Sequence, residues 1–129
     1  MKNKGFGTKA IHGGYKKNDV GALATPIYQT STFIFDSAAQ GGKRFAGEEG
    51  GYIYSRLGNP TNAQVEEKLA LLENAEACVS TASGMGAIAS CIWSIVEAGD
   101  HIVAAKTLYG CTFSYLKHGL EKFRSEERR

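Results

Sequence analysis

Ala77-Cys78-Val79-Ser80-Thr81, Ala82-Ser83-Gly84-Met85-Gly86-Ala87, and then His101-Ile102-Val103-Ala104-Ala105 are the stretches that decide the fold. The first is a short run suited to a buried strand. The second is a glycine turn. Ile88, Cys91, Ile92, Ile95 and Val96 then recur at helical spacing, and Gly99-Asp100 ends that helix. The third run is a second buried strand. Strand, helix and strand in about thirty residues make one crossover unit, right-handed by the general rule. The expected class is α/β, the first part of a domain with a mainly parallel sheet. Parallel strands need cover on both faces. Two strands do not complete such a sheet.

On the N-terminal side, residues 61–74 read as a helix. Pro60 suits its entry, Thr61 can cap it and Asn74 can stop it. Val65, Leu69 and Leu72 fall on one stripe, with Glu66, Glu67 and Lys68 facing away. Residues 1–60 show little helical periodicity. Gly13-Gly14, Gly41-Gly42 and the Gly47–Gly51 stretch punctuate them, and Ile27–Phe35 is a short extended piece. This region reads as an arm with turns, which lies on another part of the protein or on a second subunit. On the C-terminal side a final helix is expected over about 111–123, with Phe113, Leu116 and Leu120 on one side. Residues 124–129 are a polar tail where the next strand should begin. The expected division is 1–60 as arm and subunit-contact segment, 61–123 as the start of an α/β domain, and 124–129 as a tail at a truncation.

The bulk numbers exclude several classes. A chain of 129 residues is at most one domain. A net charge of +2, with scattered basic residues, gives no case for nucleic acid. Three cysteines without a C-x-x-C pair argue against a disulfide scaffold or a zinc site. Cys78 and Cys91 lie in apolar runs and read as small core residues. His12, His101 and His118 have no ligand spacing. No secretory signal follows the N-terminal lysines, and no window reaches the roughly 20 apolar residues of a membrane span. A reducing, cytoplasmic setting is the expectation.

Two motifs carry chemistry. After a strand and before a helix, the N–H groups of Gly84, Met85 and Gly86 are expected to be unpaired, at the positive end of the helix dipole. Ser83 adds a hydroxyl. The plain reading is a tight turn that uses glycine for packing; the sharper one is an anion site. In Tyr54-Ser55-Arg56-Leu57-Gly58-Asn59-Pro60-Thr61, Arg56 supplies a planar fork of donors that matches two phosphate oxygens. Tyr54, two residues earlier, projects to the same side in an extended segment and offers a phenol. The plain reading there is a surface arginine and a packed tyrosine. Tyr109-Gly110-Cys111-Thr112 follows the second strand, at the sheet edge where ligands bind in open α/β domains. Tyr109 can stack on a planar ring and handle a proton. Cys111 is either a reactive thiol or a small residue at a helix start.

These residues resemble one family. From Thr8-Lys9-Ala10-Ile11-His12-Gly13-Gly14, through Pro26-Ile27-Tyr28-Gln29-Thr30-Ser31-Thr32-Phe33, to about Leu120, the chain is similar to the N-terminal part of the pyridoxal 5'-phosphate (PLP) enzymes of cysteine and methionine metabolism. The Leu108–Thr112 stretch and Phe45-Ala46-Gly47 before Gly51-Tyr52-Ile53-Tyr54 are most similar to the methionine gamma-lyase branch. The resemblance implies the fold-type I, aspartate aminotransferase-like architecture, here the N-terminal part of the large domain with an incomplete parallel sheet behind an extended arm. It implies PLP as cofactor. Ser83, Gly84 and Met85 would bind its phosphate. Tyr109 would stack on its ring and act as acid or base at the leaving sulfur. Cys111 would line the substrate pocket. Tyr54 and Arg56 would reach the phosphate of a neighbouring subunit, and members are usually tetramers of two tight dimers. The implied reaction is elimination at the gamma carbon of a sulfur amino acid. Methionine would give methanethiol, 2-oxobutanoate and ammonia.

The pattern also breaks. The family's cofactor-bonding lysine sits in a Ser-x-Thr-Lys segment, and none of the lysines here has that context. Lys106 belongs to Ala105-Lys106-Thr107, a different place in the family. The expectation is a truncated carbon–sulfur lyase relative, inactive alone. A piece of a split enzyme, a fragment of a sulfhydrylase or of a cystathionine gamma-lyase or synthase, and a non-catalytic phosphate-binding or interaction fragment stand as alternatives.

Overall fold

The computed structural model describes residues 1, 3–123 and 126–127. The elements run α1 (Phe6–His12), α2 (Ala38–Phe45), α3 (Pro60–Glu73), α4 (Gly84–Ile95), β1 (His101–Ile102), α5 (Gly110–Ser114) and β2 (Glu126–Glu127). A π turn, Tyr115–Gly119, and a 3-10 turn, Leu120–Phe123, continue α5. The chain divides into two units, Met1–Ser80 and Thr81–Arg129.

The first unit is organised by α3. Its ends are set locally. Asn59 is extended, and its side chain accepts from Thr61 N at 2.9 Å; Pro60 fills the first helical position. Asn74, at φ 53°, closes the far end in the left-handed region. The cap is therefore Asn59 and not Thr61. The Thr61 hydroxyl is used elsewhere: it donates to Pro26 O at 3.1 Å and accepts from Tyr28 N at 2.9 Å.

Those bonds fasten the arm. Thr25 Oγ1 meets Gln64 Oε1, and Lys9 Nζ donates to Asn74 Oδ1 at 2.8 Å. At Gly14, φ +73°, a Cβ would lie 2.9 Å from Gln64 O and 3.1 Å from Lys68 N. The backbone can come this close to the helix only without a side chain. The arm thus lies on α3 of its own chain. It covers the side of α3 that carries Gln64, Lys68 and Leu71. The expected stripe therefore stays open, with Val65 50% and Leu69 43% exposed.

Farther along, the arm folds on itself. Ser37 caps α2, accepting from Gln40 N at 3.1 Å. Phe33 N donates to Ile53 O at 3.1 Å, Ser55 N donates to Ser31 O at 2.8 Å, and Thr32 bridges Tyr54 in antiparallel sense.

The run 77–81 is not a strand. It has no ladder partner among the described residues, and Ser80 is held by Glu66 Oε1, which accepts from its N and its Oγ, both at 2.7 Å. A strand exists only by pairing with a neighbour. The second predicted strand shortens to β1 for the same reason. It pairs in parallel with β2, His101 opposite Glu126 and Ile102 opposite Glu127.

In the second unit α4 buries none of its residues, and Ile95 is 74% exposed. Cys91 is exposed, and Cys78 in the first unit is half-buried, so neither is the core residue its apolar run suggested. Among the described residues of this unit, the buried side chains are Thr112, Leu116 and Leu120, all on the helical run that begins with α5. That run changes hydrogen-bond spacing as it goes, with Leu120 N donating to Tyr115 O in the π register. Among the described residues no helix is long and apolar enough to cross a membrane.

Candidate functional site

The candidate residues fall in both units, Tyr54 and Arg56 in the first and Ser83 to Met85, Tyr109 and Cys111 in the second. Among the described residues no cluster of three metal-ligating side chains occurs.

Tyr54 and Arg56 stand at a turn. Leu57 N and Gly58 N both donate to Tyr54 O, at 2.9 and 3.1 Å. The segment is not extended through Arg56, as simple alternation had suggested. The turn folds Arg56 back, and its Cζ lies 5.6 Å from the centre of the Tyr54 ring. Arg56 is exposed and Tyr54 is 39% exposed, so phenol and guanidinium stand together in reach of an anion. Below them Asn59, only 6% exposed, fixes the turn. Its Nδ2 donates to Tyr28 O at 2.9 Å and to Ser55 Oγ at 3.0 Å, and Ser55 Oγ donates to Thr30 O.

In the second unit Ser83, extended at φ −158°, ψ 156°, is the cap of α4. Its hydroxyl oxygen accepts from Gly86 N at 3.0 Å. The Gly86 N–H is therefore engaged, against the expectation of three unpaired groups. Gly84 and Met85, the first two helical residues, keep N–H groups without an intrahelical acceptor. Ser83 still has its own hydroxyl proton to donate. A Cβ on Gly84 would meet nothing within 4 Å, so the approach to these donors is open. The Met85 side chain turns aside, its Sδ 3.7 Å from Thr112 Oγ1. Met85 contributes backbone here. Thr112 was not singled out from the sequence, since a threonine early in a helix carries no spacing signal of its own.

Tyr109 precedes α5 and is 72% exposed; Cys111 is also exposed. Cys111 raises the Tyr109 pKa above its ordinary 10.0, first through side-chain hydrogen bonding and then through the repulsion of charge on the sulfur. The sign follows. The contact's contribution is fully present below the ordinary phenol pKa and is lost as pH rises through the elevated value. Cys111→Ala is expected to move the Tyr109 titration back down toward that value, read by NMR of ring-labelled tyrosine. An unchanged midpoint would show that the thiol does not hold the phenol.

Each unit by itself presents donors: the Tyr54 phenol and the Arg56 guanidinium in the first, and the Gly84 and Met85 N–H groups with the Ser83 hydroxyl in the second. Either group of donors, taken alone, suits a phosphate dianion. The exposed Tyr109 ring offers a flat apolar face for a planar heterocycle.

Comparison with known proteins shows the family. The family model described as Cys/Met metabolism PLP-dependent enzyme matches residues 7–128. The L-methionine gamma-lyase of Treponema denticola is 71% identical over 123 residues, 95% of this chain and 31% of the relative. That of Porphyromonas gingivalis is 67% identical over the same shares. A solved Campylobacter jejuni protein, described as an O-acetylhomoserine (thiol)-lyase with N'-pyridoxyl-lysine-5'-monophosphate, superposes with a TM-score of 0.91 at 33% identity; the match covers 98% of this chain and 31% of that one. The chain thus spans about 31% of the length of these relatives. The fold is the N-terminal part of the fold-type I large domain.

Proposed function

The chain belongs to the Cys/Met metabolism PLP-dependent enzyme family, and from that premise we infer that residues 1–129 carry the phosphate-binding share of a carbon–sulfur lyase. The substrate class is a sulfur amino acid, with methionine converted to methanethiol, 2-oxobutanoate and ammonia. The observation that carries this reading is the Ser83 cap, which leaves the Gly84 and Met85 N–H groups and the Ser83 hydroxyl proton open beside a glycine with free space.

PLP, when bound, supplies an electron sink for charge developing on the substrate carbon chain. The residues of this chain hold and orient it. Ser83, Gly84 and Met85 take the phosphate, with the α4 dipole favouring its negative charge. The exposed Tyr109 ring would stack on the heterocycle. Its phenol would give a proton to the departing sulfur. Cys111 borders the substrate. Tyr54 and Arg56 serve the phosphate of a neighbouring subunit in a homo-oligomer.

The test is binding of pyridoxine 5'-phosphate, which has no aldehyde, to the purified chain by phosphorus NMR. A charge-assisted hydrogen bond contributes about 1.5–3 kcal/mol. Arg56→Ala is therefore expected to weaken binding about tenfold or more, and Ser83→Ala to weaken it less. Equal binding by all three forms would sink the phosphate reading. No lysine in residues 1–129 sits in a Ser-x-Thr-Lys segment, so these residues alone are expected to bind without turnover.

A further inference from the structure

We propose that Arg44 is a positioning residue for the Tyr54–Arg56 pair; the proposal rests on the phosphate reading of that pair. Arg44 sits in the last turn of α2, and its side chain is only 19% exposed. Its Nη1 donates to Tyr52 O at 3.3 Å, and its Nε lies 3.5 Å from Glu49 Oε1. Its Cζ is 5.7 Å from the centre of the Phe35 ring. Gly51, at φ +144°, passes so close that a Cβ there would fall 2.7 Å from both Cζ and Nε. One guanidinium thus touches residues 49, 51 and 52, the far end of a loop with glycines at 47, 50 and 51. Such a loop has much backbone freedom to lose.

The contacts continue on both sides. Glu49 Oε1 also accepts from Gln40 Nε2 at 3.0 Å, and Gln40 is tied to Asp36 through its N and its carboxylate. The Tyr52 ring packs on Phe33, centroids 5.3 Å apart. Phe33 N and Ser55 N then donate across to residues 53 and 31, on either side of the Thr32–Tyr54 bridge. Arg44 therefore fixes where the 52–55 segment begins, and that segment presents Tyr54 and Arg56. A planar fork can bond a carbonyl, face a carboxylate and stack on a ring together. A lysine can keep only the ion pair.

Arg44→Ala, Arg44→Lys and Gly51→Ala are compared with the unaltered chain by amide hydrogen exchange and by titration with pyridoxine 5'-phosphate. In Arg44→Ala, exchange at Phe33 and Ser55 is expected to quicken about tenfold, Ala63 in α3 to stay unchanged, and probe affinity to fall about tenfold. Arg44→Lys should lie between. Gly51→Ala displaces the guanidinium while keeping its charge. It should move both readings the same way, and it serves as the test if Arg44→Ala does not fold. Wild-type exchange and affinity in Arg44→Ala and Gly51→Ala, with Arg56→Ala still losing the probe, would overturn the role of Arg44 alone. Faster exchange everywhere, Ala63 included, would also overturn it, as a general loss of stability. Undiminished binding by Arg56→Ala, or no binding by any form, would overturn the phosphate reading and this proposal with it.

Discussion

Asn59→Ala is expected to destabilise the first unit by about 2–4 kcal/mol. Two losses add. The side chain caps α3 through Thr61 N, and a lost cap costs about 1 kcal/mol. Its Nδ2 also bonds Tyr28 O and Ser55 Oγ from a position only 6% exposed. Alanine can make neither bond, and two lost hydrogen bonds at about 0.5–1.5 kcal/mol each cost about 1–3 kcal/mol together. Asn59→Ser keeps the capping oxygen without the amide donor, so it should recover roughly half of the loss. Urea unfolding followed by far-ultraviolet circular dichroism measures both. An unchanged midpoint in Asn59→Ala would mean that neither the helix start nor the Tyr28 segment depends on this side chain.

Gly14→Ala is expected to cost a similar amount, about 2–5 kcal/mol, by a different route. A residue with a Cβ pays about 1–2 kcal/mol in the left-handed region, and Gly14 is there at φ +73°. The new methyl would also stand 2.9 Å from Gln64 O and 3.1 Å from Lys68 N, both backbone atoms within α3. Neither can swing aside as a side-chain tip could. The arm must lift, at the 1–3 kcal/mol usual for overpacking. Limited trypsin digestion reads this directly, since Lys9, Lys16 and Lys17 lie on the arm. Cleavage there should quicken while the α3 amides stay protected. Gly7→Ala is the control. It lies within α1, and its Cβ meets nothing within 4 Å, so it should be neutral or slightly stabilising. Equal digestion of Gly14→Ala and the unaltered chain would show that the close approach to α3 does not hold the arm.

What could be read from the sequence was what is decided locally. The span of α3 follows from Pro60 at one end and Asn74 at the other, and α4 begins at the glycine turn because Ser83 caps it. The nearness of Tyr54 and Arg56 was legible too, although a turn brings it about. The face that α3 buries was not legible. It depends on Gly14, Thr25 and Tyr28 arriving from far along the chain, and no spacing within 61–74 records that. The strand at 77–81 failed because strand propensity needs a paired neighbour to act on. Arg44 escaped notice because its contacts, Phe35, Glu49, Gly51 and Tyr52, follow no period. A glycine that closely follows two acidic residues was the one available sign.

The arm's attachment to α3 also sets an order of events. Lys9 meets Asn74 across 65 positions, and Tyr28 meets Thr61 across 33. Contacts that distant must close long loops, which local helix formation does not require. On the ribosome the arm emerges before α3 and finds no surface to hold it. It waits, unpaired, until Asn74 has been made and α3 has wound. The arm, made before the helix it rests on, is thus the last part of its unit to settle, and how quickly α3 forms governs how long Lys9 and Tyr28 wait for their partners.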